Sequence, residues 1–160
     1  MDTSITIIGL IVLAMFILPV FLIIKSKKKR IEQMKSDLMD EAKKAGITIV
    51  DTDYWNNSIL GIDDKEKTII YIDEDSNEKK IRIFNIDDVK TVKFFPDITK
   101  KNLNPDYKKE PKLCISFFFK DSAKYEVNLE FFTAGFGNLT KVEQSLFEKW
   151  VNKIEKLKII

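Results

Sequence analysis

The chain contains no histidine, and this absence excludes a good deal of chemistry. Imidazole is the commonest general base, the commonest transition-metal ligand and the usual pH switch. A Ser-His-Asp or Cys-His site cannot be built within this sequence. Cysteine occurs once, as Cys114, so no internal disulfide can form. Its neighbours Leu113, Ile115 and Phe117 mark it as a small apolar strand residue rather than a reactive thiol. One cysteine without histidine falls short of a zinc ligand set. Glycine is scarce, and neither a P-loop nor a dinucleotide glycine pattern is present. No catalytic residue, cofactor or metal ligand is expected, and the chain reads as non-enzymatic.

Positive charge is also missing where a nucleic-acid-binding body would carry it. Of 27 basic and 25 acidic residues, five basic and one acidic lie within positions 1–30, which leaves 22 basic and 24 acidic beyond. The body is therefore slightly acidic, and nucleic acid is not an expected partner. The basic excess is concentrated in Lys25, Lys27, Lys28, Lys29 and Arg30.

That cluster follows an uncharged stretch of 20 residues, Ile5 to Ile24. As a helix it would rise about 30 Å, the thickness of a bilayer's hydrocarbon core. The pattern predicts a transmembrane anchor over 1–24. A cleaved signal peptide fits less well, because no basic residue precedes the run and no small-residue cleavage site follows it. By the positive-inside rule the basic cluster puts the N-terminus outside and the C-terminal domain in the cytoplasm, a single-pass protein of the inner membrane. Lipid bilayer and anionic head groups at the basic cluster are the partners this implies, beside a protein partner the sequence does not name.

Residues 25–46 read as a juxtamembrane stalk helix. Ile31, Met34, Leu38, Ala42 and Ala45 recur at three and four positions, and Gly46 is suited to end the helix. The stripe fits packing against the chain's own domain and self-association equally well.

From 47 onward the hydrophobic period becomes two. Short β-branched runs alternate with polar turns: Ile47–Val50, Ser58–Asp63, Thr68–Asp73, Lys80–Phe84, Lys90–Phe95, Leu113–Phe119 and Tyr125–Phe131. A polar segment with three prolines, 96–111, interrupts them as a candidate contact loop. Another loop, around Gly135 and Gly137, precedes the last element. That element is an amphipathic helix striped by Val142, Leu146, Trp150, Ile154 and Leu157, with Thr140 and Glu143 spaced as a capping box. The acidic clusters Asp63-Asp64, Asp73-Glu74-Asp75 and Asp87-Asp88 lie at strand ends, where Asp terminates strands by local hydrogen bonds.

The segment Ile59-Leu60-Gly61-Ile62-Asp63, a charged turn, Thr68-Ile69-Ile70-Tyr71-Ile72, then Ile86-Asp87-Asp88-Val89-Lys90-Thr91-Val92, and a late helix with Trp150 together resemble a bacterial pleckstrin-homology-like (PH-like) domain. The resemblance covers most of 47–157. It implies an α+β architecture over 47–160, an antiparallel sheet or partly open barrel capped by the C-terminal helix. It implies an interaction scaffold for protein or lipid more than a phosphoinositide site, because acidic residues interleave with Lys65 and Lys67. The function expected is a membrane-tethered cytoplasmic interaction module. The alternative is a small accessory subunit of a larger inner-membrane complex. Trp55, Phe118, Lys80 and Arg82 are the candidate partner contacts, the two aromatics fitting a core better than a contact patch.

Overall fold

The computed structural model describes residues 3–75, 78–95, 112–121, 123–124, 126–133 and 139–159. Gly46 decides where the first helix stops. Helix α1 runs unbroken over Thr3–Ala45, through Pro19, and Gly46 follows with φ at +69°. The amide of Gly46 donates to the Lys43 carbonyl at 3.2 Å and that of Ile47 to the Ala42 carbonyl at 3.0 Å. This is a Schellman ending, which needs a left-handed residue that glycine supplies without steric cost.

Among the described residues seven strands follow: β1 (Asp51–Trp55), β2 (Ser58–Asp63), β3 (Thr68–Asp75), β4 (Glu78–Asn85), β5 (Val89–Phe95), β6 (Lys112–Phe119) and β7 (Val127–Thr133). Helix α2 (Lys141–Ile159) closes the order. All pairings are antiparallel, in a four-stranded sheet β1-β2-β3-β4 and a three-stranded sheet β5-β6-β7. The chain is thus α+β with a long N-terminal helix and two antiparallel sheets.

Two expectations are corrected here. The first is the membrane span. Among the described residues no helix is long and apolar enough to cross a membrane. The transmembrane anchor over 1–24, the single-pass topology and the inner-membrane location all fall with it. α1 is one helix across the boundary between positions 24 and 25.

Nor does a barrel close among the described residues. Between β4 and β5 a 3-10 turn, Ile86–Asp88, redirects the chain, with the Asn85 side chain accepting from the Asp87 amide at 2.7 Å. At the opposite corner β1 and β7 form no ladder. Trp55 Nε1 donates to the Glu130 carbonyl at 2.8 Å and Asn56 Nδ2 to that of Phe131 at 3.4 Å. These carbonyls lie at a bulge, where Leu113 faces Phe132 but Cys114 faces Glu130. A bulge locally breaks the hydrogen-bonding row of its strand.

The core has two compartments. Leu60, Ile62, Ile69, Tyr71 and Phe84 of the first sheet face Ile115, Phe117, Leu129 and Phe131 of the second, with Phe147, Trp150 and Ile154 of α2 closing the end. Trp55 stacks on Phe131 with centroids 4.4 Å apart, and Phe147 meets Phe131 edge-on at 5.6 Å. The second compartment lies on the outer face of the first sheet, where Met34, Leu38 and Ala42 of α1 pack on Ile59, Ile70 and Ile72. The stalk stripe is therefore spent on the chain's own sheet. β2 is buried along its whole length because both its faces are covered. Gly61 permits the approach: a Cβ there would sit 2.9 Å from Leu38 Cδ2 and 3.1 Å from Ile49 Cδ1.

Candidate functional site

A cleft of about 910 Å³ opens where α1, the β1–β2 turn, the ends of β3 and β4 and the start of β7 converge. Its floor is a hydroxyl network on the inner face of the first sheet. Ser58 lies opposite Asp73 in the β2–β3 register. Its hydroxyl donates to Asp73 Oδ1 at 2.8 Å and lies 3.0 Å from the Tyr71 hydroxyl. With its proton committed to Asp73, Ser58 is left as acceptor for Tyr71. Burial pushes the Tyr71 phenol up to about 12, so it remains a donor across the physiological range.

Charges of both signs ring this floor. Lys80 and Arg82 come from β4, Lys27 and Arg30 from α1, Glu130 from β7 and Glu126 from the residue just before it. Arg30 ion-pairs with Glu74 at 3.0 Å and also donates to its carbonyl. The sequence holds no imidazole to take the Ser58 proton. Among the described residues no group of three or more His, Cys, Asp or Glu could hold a metal ion.

The candidate contacts fall in different places. Trp55 is buried and ties the two sheets together through its indole N–H and its stacking. Phe118 is half-buried on the outer face of the second sheet, with Lys93 Nζ 4.8 Å from its ring centroid. Lys80 is exposed and Arg82 half-buried, both lining the cleft. Lys25, Lys27, Lys28, Lys29 and Arg30 are all exposed on α1. The loop 96–111 and the Gly135–Gly137 loop lie outside the described residues.

The acidic turn residues hold backbone. Asp63, 3% exposed, accepts from the amides of Thr48, Lys65 and Glu66 at 2.7, 2.9 and 3.1 Å. Those bonds, the one from Thr48 first, hold its carboxyl below the usual range. Asp51 is raised by burial, but hydrogen bonds from Lys149 and Lys153 outweigh this and lower it. This cluster, completed by Asp53 at 2.6 Å from Lys149, fastens α2 to β1. Burial pushes the Cys114 thiol up, as an inert core cysteine requires.

Sequence reading missed the Ser58–Tyr71–Asp73 floor. Its only signal was the register of the β2–β3 hairpin. No protein-family model, curated protein or solved structure matches the chain.

Proposed function

We propose that this chain is a non-enzymatic interaction module, a PH-like domain that docks a protein partner. One observation carries the reading. Leu13, Met15, Phe16, Leu18, Phe21 and Ile24 are each more than half exposed, so this stretch of α1 is apolar on every side with nothing of its own domain against it. A helix apolar all round is stable when surrounded by other apolar surface, and contiguous exposed apolar patches mark association sites. The domain beyond spends its own apolar residues internally, in the two compartments described. The four-plus-three arrangement of antiparallel strands with α2 at one end supports the PH-like resemblance. A role as accessory subunit of a larger assembly is the same reading with a permanent partner.

The test compares the full chain with the quadruple variant Leu13→Glu, Phe16→Lys, Val20→Glu, Ile24→Lys by sedimentation without amphiphile. The native chain is expected to associate, and the variant to be a monomer with unchanged near-ultraviolet circular dichroism. A native chain that is already monodisperse and monomeric overturns the reading.

A second reading has its own support in the exposed cluster Lys25, Lys27, Lys28 and Lys29 beside that apolar surface. A basic side chain near an anionic lipid surface contributes about 1 kcal/mol. Binding to anionic but not neutral vesicles, lost as salt rises, favours lipid head groups over protein.

A further inference from the structure

Strand β4 ends its sheet. Its one ladder is to β3, and among the described residues no backbone hydrogen bond meets its other side. The cover that α1 gives the sheet stops one strand short. Ile70 and Ile72 are fully buried beneath the helix, while their register partners Ile83 and Ile81 on β4 remain 44% and 40% exposed. On the same outer face Lys79 ion-pairs with Asp37 of α1, which closes one end of the step. Side chains alternate along a strand, so Lys80 and Arg82 project to the opposite, cleft-lining face. Among the described residues no ion pair engages the Arg82 guanidinium, and Lys80 has only Glu78 at 3.8 Å.

We propose that β4 is a docking edge for an extended segment of a protein partner in which apolar and acidic residues alternate. This rests on the interaction-module reading and names its partner class. A strand added to a sheet edge gains main-chain hydrogen bonds, and its alternate side chains read the two faces. On one face they meet Ile81 and Ile83 beside the overhanging helix. On the other they meet Lys80 and Arg82. Opposite charges paired across strands stabilise, and like charges directly opposite destabilise. β4 carries Lys79, Lys80 and Arg82 against Glu78 alone, so a second copy of β4 pays that repulsion and an acidic strand escapes it.

The experiment uses the full chain in a non-ionic detergent and two eight-residue probe peptides, one alternating Val with Glu and one alternating Val with Lys. The Glu peptide is expected to bind about tenfold more tightly, the effect of two cross-strand charge pairs. It is expected to protect β4 amides from hydrogen exchange. The double variant Lys80→Glu, Arg82→Glu reverses the preference. Lys80→Gln, Arg82→Gln abolishes it and serves if the reversal variant fails to fold. Equal binding of the two peptides, a preference indifferent to either variant, or protection confined to other strands overturns the assignment. So does concentration-dependent dimerisation that protects β4 without peptide, which would give the edge to a second copy. Failure of these peptides leaves the sedimentation result untouched, so the β4 assignment and the module reading fail separately.

Discussion

Gly61 and Leu38 form one packing unit, and a double-mutant cycle tests it. A Cβ on residue 61 would meet Leu38 Cδ2 at 2.9 Å and Cδ1 at 3.2 Å. Real Cβ atoms do not stand so close, so Gly61→Ala forces α1 away from β2 or Leu38 off its rotamer. Overpacking of this kind costs about 1–3 kcal/mol. Replacing a strand glycine by alanine returns about 0.5–1 kcal/mol of backbone entropy. The single variant is therefore expected to lose between about 0 and 2.5 kcal/mol. Leu38 is fully buried in the helix–sheet compartment, so Leu38→Ala is expected to lose about 2–5 kcal/mol. In the double variant the new methyl occupies space that Leu38 has vacated. Of the three nearest atoms, the terminal methyl of Ile49 at 3.1 Å then remains, and that can turn aside. The coupling should be favourable by about 0.5–3 kcal/mol, so that Gly61→Ala is neutral or stabilising in the Leu38→Ala background. Urea unfolding at fixed detergent, followed by the fluorescence of Trp55 and Trp150, measures all four corners of the cycle. Additivity within about 0.5 kcal/mol would refute contact between these residues.

Three further outcomes are expected. Asp63 has a folded-state pKa held below its unfolded value. Its stabilisation is present in full above the unfolded value near ~3.9 and is lost as pH falls through the folded one. Asp63→Asn should therefore lower stability at neutral pH and flatten the acid limb of the unfolding curve, and an unchanged acid limb would contradict the three-amide arrangement. Tyr71, pushed up to about 12, should remain protonated through pH 11 in a spectrophotometric titration, while Tyr71→Phe removes that late step and no other. Thr140 Oγ1 accepts from the Glu143 amide at 3.3 Å while Glu143 accepts from the Thr140 amide at 2.8 Å. Thr140→Ala should cost about 1 kcal/mol and raise amide exchange in the first turn of α2, and unchanged exchange there would count against the cap.

Local chemistry alone specified several elements. The stop at Gly46 follows from a φ that only glycine adopts without cost, and the last helix from a stripe ending in Leu157 behind a Thr-x-x-Glu cap. The period of two in Val127, Leu129 and Phe131 against Asn128 and Glu130 sets a strand with one buried face. Such signals involve neighbours within a few residues, and a sequence displays them directly. What they leave open is which surface meets which. Met34 and Leu38 suit a partner helix as well as a sheet, and only the glycine gap at position 61 brings them onto β2. Trp55 fits a core better than a contact patch, but the choice is made only when its indole reaches the Glu130 carbonyl 75 residues away. Closure into a barrel depended on whether β1 and β7 would ladder, and the bulge in β7 gave their corner side-chain links in place of one. The edge at β4 is likewise set by where α1 ends its cover. These are choices among long-range contacts of similar local merit, and the total burial of the fold, not any one segment's propensity, makes them.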